Sequence, residues 1–470
     1  MATTEKKTSA KSASDGASTI ALAEYMVRAR TAALPDEVAT RAKHHILDTL
    51  AAMVSGTTLP VGKMAMKYAT LQGAGGDATI IGLKGRYNSV VAALANGMLA
   101  HADETDDSHA PAGMHPGCAI LPPALAMAEK NGKSGGDLLK AVVLGYDVGA
   151  RVMRSIGANI REPYRRYDTH AFGGVFGAAA AAGACTSTPL DATQCRYLLS
   201  YAAQQASGLA SYPMDTFHVE KGFIFGGMPA RSGMTAATML EAGFTGIEDD
   251  LEGYNGFLPS HGAEKADPVQ LSDKLGERFE IMRTNIKKYS VGSPIQAPVD
   301  CLANIMREHK VGPDDFAEII VYTARGEDKI TRSDQHMSSL NLRYLLAATL
   351  IDGGLSFHAA HDDDRVHRPE IETITSKISI RANPELASAE SPRQGMVEFV
   401  TRDGRTFQNR VVKVRGAMEN PMTTEEVAAK ARELLRVALP AERSERVVEA
   451  VLSLETLPKL ADLALLLNPA

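Results

Sequence analysis

From residue 19 to residue 251 the apolar positions recur at helical spacing. In 39–54 (ATRAKHHILDTLAAMV) Ala42, Ile46, Leu50 and Val54 fall on one stripe, four apart, and Gly56 then supplies a stop. Residues 88–102 are Ala-rich and apolar nearly all round, which predicts a fully buried helix. Further helices are expected at 134–156, 173–185, 191–210 and 228–242, joined by segments carrying Gly, Pro, Asn or Asp. After about Asn285 the period shortens. Residues 316–322, 374–380 and 396–400 read as strands, and Arg402-Asp403-Gly404-Arg405 is a hairpin turn returning as 406–414. Residues 340–351 and 423–439 read as helices, the latter opened by a Thr423/Glu426 capping box.

The pattern predicts a mostly α protein. A large all-helical part is expected to about residue 284, then a smaller α+β part near 285–417 and a helical C-terminal tail, with a disordered tail at 1–17. The chain has 470 residues, 44% of them hydrophobic, ample to bury a large core. Its 50 basic and 56 acidic side chains leave a formal charge of -6, which gives no electrostatic reason to bind nucleic acid or an anionic membrane. An anionic substrate therefore requires a basic region against the global sign. No apolar run is long enough to span a bilayer, and the first 16 residues match neither a secretory signal nor a transit peptide. Cys118, Cys185, Cys195 and Cys301 form no C-x-x-C pair, so reduced thiols in a cytoplasmic protein are expected.

The common phosphate-loop, zinc-protease and dinucleotide motifs are absent. Gly132-Lys133-Ser134-Gly135-Gly136 matches G-x-S-x-G, but an Ala-rich helical stretch precedes it where a nucleophile elbow needs a strand, so it reads as a turn between helices. Gly73-Ala74-Gly75-Gly76 reads as a plain loop.

The densest polar cluster is His101-Ala102-Asp103-Glu104-Thr105-Asp106-Asp107-Ser108-His109, followed by His115-Pro116-Gly117. Four acids in five residues repel one another unless they bind a cation, pair with bases or handle protons. A solvated loop and a hard-cation site both compete, though the spacing fits no EF-hand or zinc set. The adjacency of His and carboxylate favours acid–base work. Arg165-Arg166-Tyr167-Asp168-Thr169-His170 opens a Gly/Ala-rich helix, where an anion is favoured or where Asp168 or Thr169 merely caps. Lys221 sits among residues that bury well, so it either snorkels outward or meets an anion. Lys287-Lys288-Tyr289 lies where the period changes, either as a solvated pair or at a domain interface.

These pieces, in this order, resemble the MmgE/PrpD family, which includes 2-methylcitrate dehydratases, cis-aconitate decarboxylases and an iminodisuccinate epimerase. The similarity runs from about Ala21 to Leu467. It is carried by AKHHILDTLAAMVSG, by 101–108 with His115-Pro116-Gly117, and by His170 before GGVFGAAAAAG. Lys221 before a Gly-rich helix start, Lys287-Lys288-Tyr289 and RYLLAATLIDGG from Arg343 complete the set. The resemblance implies one all-helical domain built from 18–284 and 418–470, an α+β lid domain at 285–417 and a cleft between them, a homodimer, no metal and no organic cofactor, and a small carboxylic acid as substrate. It implies His115, His170, Lys221, Glu104 and Asp106 as catalytic positions. His101, Asp107, Arg166, Lys287, Lys288 and Tyr289 are the implied substrate-binding positions.

Two departures stand out. Glu104 occupies a place where the family's loop often has Asp, and Gly292 falls where cis-aconitate decarboxylases place a histidine, which argues against decarboxylation. The family's reactions share the need to manage negative charge at a carbon beside a carboxylate. The expected chemistry is therefore proton abstraction by His115 or His170, with the other histidine or Glu104/Asp106 as acid and Lys221, Lys287 and Arg166 neutralising carboxylates. A 2-methylcitrate-dehydratase-like hydro-lyase is the leading expectation. An epimerase of a C4 dicarboxylate derivative, a cis-aconitate-type decarboxylase, a metal-dependent hydrolase and a non-catalytic binding protein are the alternatives.

Overall fold

The computed structural model describes residues 16–157, 167, 169–262, 265–326, 337–388 and 393–468. Of the expected tail, 1–15 lie outside these residues, and Ala17 already begins a helix. The first series is α1 (Ala17–Ala29), α2 (Asp36–Gly56), α3 (Pro60–Leu71), α4 (Ser89–Ala100), α5 (Pro116–Lys130), α6 (Gly135–Ser155), α7 (Thr169–Ala184) and α8 (Ala192–Gln205). It continues with the single turn α9 (Val219–Gly222), a π-helical turn at Phe223–Gly227, and α10 (Met228–Glu241). Two short turns, α11 (Phe257–His261) and α12 (Val269–Ser272), lead to α13 (Ser293–His309). Then come β1 (Phe316–Thr323), α14 (Leu342–Asp352), α15 (Phe357–Ala360), α16 (Pro369–Thr375), β2 (Ile378–Ala382), β3 (Gly395–Thr401) and β4 (Thr406–Val411). The chain closes with α17 (Thr424–Leu435), α18 (Ala441–Leu452) and α19 (Ala461–Leu467).

Local chemistry explains the boundaries. Capping boxes open α6 (Ser134/Asp137), α8 (Asp191/Gln194) and α17 (Thr423/Glu426), each closing two backbone donors that the first turn leaves free. The Ser134 hydroxyl of the G-x-S-x-G string is thus consumed as a cap. The expected helix over 191–210 stops at Gln205, because Ala206 turns extended and Gly208 takes φ 145°. The expected strand over 374–380 begins only at Ile378. Pro369 at the first helical position and Glu370 and Glu372 in the first turn favour α16 instead. The return strand likewise ends at Val411.

Helix α7 is the axis of the helical part, packed by α5, α6 and α10. Ala178 to Ala182 have no exposed surface, and their small side chains let neighbouring backbones approach closely. A Cβ on Gly149 would lie 2.5 Å from the Gly173 carbonyl oxygen, and one on Gly97 would lie 2.6 Å from that of Gly226. Helices α17 and α18 pack on α2. One apolar core accordingly joins Leu22 through Ile286 to Phe357 and to Met422 through Leu467. A second core, Val291 through Phe399, lies between α13, α14 and the sheet, whose order is β2-β1-β3-β4. The β1–β2 pair is parallel and the other two pairs are antiparallel. The Arg402–Arg405 hairpin joins β3 to β4 with Gly404 at φ 86°. All four cysteines are buried and free.

Candidate active site

The site begins where α4 ends. His101 caps the helix, and the chain folds back so that Ser108 exchanges backbone hydrogen bonds with Asn285 (3.0 and 2.8 Å). His115 then stands at the N-cap of α5, followed by Pro116. His101, Asp103, Glu104, Asp106 and Asp107 are all buried. Four carboxylates this close are tolerable only if each has its own partners, and each does. Asp107 accepts from His45 (2.7 Å), the Tyr146 hydroxyl (2.6 Å) and the Gly117 amide (2.9 Å). Asp103 accepts from the Thr105 amide and hydroxyl (2.9 and 2.6 Å) and lies 2.8 Å from His361 Nε2, just beyond α15. Glu104 meets Lys221 directly and lies 3.6 Å from Lys287, whose Nζ also donates to the Glu104 carbonyl at 2.6 Å. Asp106 takes Nδ1 of His101 at 2.9 Å and Nδ1 of His115 at 3.2 Å, with Lys287 3.6 Å away.

These contacts set the charge states. Burial works to raise a carboxyl, yet Lys221 and Lys287 hold Glu104 well below its ordinary range. Burial is likewise overcome at Asp106, held well down by His101, His115 and Lys287. His115 is pushed down to about 4 by burial, which outweighs the pull of Asp106, so its imidazole is neutral at pH 7. Because Nδ1 donates to an ionised carboxylate, the proton of neutral His115 is on Nδ1 and Nε2 carries a lone pair. Burial, reinforced by Lys221, pushes His218 down to about 3. Burial opposes the imidazolium of His361, but Asp103 raises it above its ordinary value.

The rings share one wall. The π-helical turn swings Phe225 between two imidazoles, stacked on His170 (centroids 4.3 Å) and on His101 (4.8 Å). His115 lies 5.3 Å from Phe225 and 5.7 Å from His170, and the Lys221 ammonium stands 5.1 Å over the Phe225 ring. His170 also meets Tyr212 edge-on at 6.3 Å. The backbone of α4 must press against this turn at Gly97 for His101 to arrive there.

Of the expected positions, His101, Glu104, Asp106, His115, His170, Lys221 and Lys287 converge. Arg166, with Asp168, lies outside the described residues. Lys288 and Tyr289 turn instead to Asp300 on α13, at 2.7 and 2.9 Å. Asp107, fully enclosed by three donors, anchors the loop and has no face left for a ligand. The residue pattern did not single out His45, Tyr146, His218, Phe225, His361 or Lys430. Lys430, on α17, donates to the Thr105 carbonyl at 3.1 Å and pairs with Asp48 at 2.6 Å, fastening the loop from behind. Cys118 is close, but burial pushes its thiol well up, which leaves it unreactive.

The sets His101/Glu104/His218 and His101/Asp106/His115 have donor atoms within 4.8 Å of one another, a spacing a cation could use. Lys221 and Lys287 already sit on those carboxylates, and a second cation there meets direct repulsion. What remains is a neutral imidazole whose Nε2 has no hydrogen-bond partner among the described residues, held by an ionised carboxylate and flanked by two ammonium groups, an arrangement suited to removing a proton beside a carboxylate.

The chain is similar along nearly its whole length to known proteins. A cis-aconitate decarboxylase-like protein of Aspergillus oryzae is 26% identical over 491 residues, covering 97% of this chain and 98% of that protein. The cis-aconitate decarboxylase of Homo sapiens is 26% identical over 450 residues, covering 93% and 91%. That of Aspergillus terreus is 26% identical, covering 98% of both chains. The profile of the MmgE/PrpD N-terminal domain matches residues 20–268 and that of the MmgE/PrpD C-terminal domain residues 289–456, so the chain belongs to the MmgE/PrpD family.

Proposed function

We propose that this protein is a lyase that abstracts a proton next to a carboxylate of a di- or tricarboxylic acid, and that its reaction is loss of water in the manner of a 2-methylcitrate dehydratase. The observation that carries the reading is His115: neutral, its Nδ1 committed to Asp106 and its Nε2 open. His115 takes the proton, Lys221 and Lys287 exchange part of their pairing with Glu104 and Asp106 for substrate carboxylates, and His170, its ring 5.7 Å from that of His115, gives a proton to the departing hydroxide, which leaves as water. The 285–417 segment acts as the lid, bringing Lys287 and His361 to the loop, and the working unit is a homodimer in the cytoplasm. No helix among the described residues is long and apolar enough to cross a membrane.

Decarboxylation of an unsaturated tricarboxylate is the second reading, favoured by the names of the relatives. Against it, Gly292 caps α13 without a side chain at the position where a decarboxylase histidine is expected. Proton NMR in deuterated water tests both, with the enzyme given 2-methylcitrate, citrate, cis-aconitate and C4 diacids in turn. A new alkene signal from a hydroxy acid, with deuterium entering the α-carbon, supports dehydration. Loss of CO2 from cis-aconitate replaces it with the second reading, and silence on every acid removes both.

A further inference from the structure

His218 is the residue of this pocket with the least conventional backbone. It adopts φ 60°, ψ 10°, the left-handed region that costs an L-residue about 1 kcal/mol or more, at the N-cap of α9 just ahead of Lys221. Its imidazole is buried at 4% exposure, 5.1 Å from the ring of His101 and with Nδ1 4.0 Å from the Glu104 carboxylate. The Nε2 atoms of both His101 and His218 are buried without a hydrogen-bond partner among the described residues. One nitrogen of each ring and one Glu104 oxygen lie within 4.8 Å of one another. Leaving two imidazole nitrogens unsatisfied in a low-dielectric pocket is costly, and a bound group that satisfies them recovers that cost.

Glu104 lies 4.0 Å from Nδ1 of His218, beyond hydrogen-bond distance, so Nε2 of that ring is available as donor or acceptor. Nδ1 of His101 donates to Asp106 at 2.9 Å, which leaves a lone pair on its Nε2. This corner therefore offers two imidazole nitrogens to a polar group, while Lys221 and Lys287 supply positive charge for carboxylates. We propose that His218 is a specificity-determining residue: the hydroxyl of a hydroxy acid donates to Nε2 of His101 and accepts from Nε2 of His218, so that the site selects that acid over the same acid without the hydroxyl. This rests on the reading of the site as a carboxylic-acid lyase and adds which substrate group is read and by which side chain.

The test is calorimetric binding of two acids that differ only in the hydroxyl, citrate and tricarballylate, to the full-length protein and two variants. His218→Asn tolerates the left-handed backbone and keeps an amide where Nδ1 was, but has no atom at Nε2. His218→Gln extends an amide to about the Nε2 position. Wild type is expected to favour citrate by about 10- to 100-fold, the range a site built around a substrate hydroxyl gives for one or two such bonds. His218→Asn should bring that ratio close to one while leaving tricarballylate affinity unchanged, and His218→Gln should restore part of it. Equal binding of both acids to wild type, or an unchanged ratio in His218→Asn, overturns the proposal and leaves the lyase reading in place. Failure of wild type to bind either acid overturns both. Stoichiometric uptake of Co2+ with d–d absorbance that His218→Asn abolishes overturns the proposal in favour of metal ligation.

Discussion

Asp106→Asn probes the arrangement at its most shared point. The carboxylate accepts from Nδ1 of two imidazoles, at 2.9 and 3.2 Å. Asn keeps the shape but carries no charge, and its single oxygen must serve both rings or leave one without its acceptor. At an effective dielectric of about 20, removing the charge 3.2 Å from His115 forfeits about 5 kcal/mol of gross stabilisation of a developing imidazolium, an upper bound. Loss of an orienting carboxylate beside a catalytic imidazole costs about a thousandfold to ten-thousandfold in turnover, or about 4–5.5 kcal/mol of barrier. The two figures agree. Asp106 also raises His115 against burial, so its removal moves the acid limb of kcat/KM below the wild-type value of about 4. Deuterium incorporation and turnover should be followed by NMR from pH 3.5 to 8 on the acid that wild type accepts, with circular dichroism confirming the fold. Activity within threefold of wild type, or an acid limb displaced upward, would refute the shared-carboxylate account.

His115→Ala and Lys221→Ala should each abolish turnover with little change in Tm; near-native activity in either would remove that residue from the mechanism. Gly97→Ala places a Cβ 2.6 Å from the Gly226 carbonyl oxygen and should cost about 1–3 kcal/mol in urea unfolding, with reduced kcat because the turn bearing Phe225 is displaced. Asp147 is buried, accepts from Tyr25 and the Glu280 amide, and is raised by burial to about 6. Its contribution to stability is full below the unfolded value near 3.8 and is lost as pH rises through 6, worth up to about 3 kcal/mol. Urea midpoints from pH 3.5 to 8 should show that decline, and Asp147→Asn should flatten it; an unchanged slope would mean another group titrates there.

What was legible in the chain was local. The Ala42–Val54 stripe, the Thr423/Glu426 box and the Asp-Gly hairpin each encode their geometry within a few residues, and all three appear as read. The acid-rich loop and His115 stood out because polar groups clustered at the end of an apolar helix, whereas His170, Lys221 and Lys287 were drawn in by the family resemblance, their local context being open to a cap, a snorkelling lysine or a solvated pair. The rest depended on contacts between distant segments. Lys430 lies in the highly charged TEEVAAKARELL and reads as a solvated surface charge, yet only 7% of it is exposed, because α17 packs that face on α2. Nothing in the sequence marks His218 as left-handed or Phe225 as the member of a π turn, since both follow from how α9 is forced against α4. Lys288 and Tyr289 show the same dependence: adjacency to Lys287 says nothing of Asp300, which α13 brings to them at 2.7 and 2.9 Å.

The order in which the loop's partners are synthesised has a consequence for the nascent chain. Asp107 can be satisfied by His45 and Tyr146 once the first six helices exist, but Glu104 waits for Lys221 and Lys287, Asp103 for His361, and Thr105 for Lys430. At about 5–20 residues per second, translation from Asp107 to Lys430 takes roughly 20 s to a minute. Within it Glu104 gains its counter-charges once Lys221 and Lys287 are made, whereas Asp103 waits for His361 and the Thr105 carbonyl for Lys430. A chain released before α17 would lack Lys430 and the helices that pack on α2, so activity reports on segments synthesised at both ends of that interval.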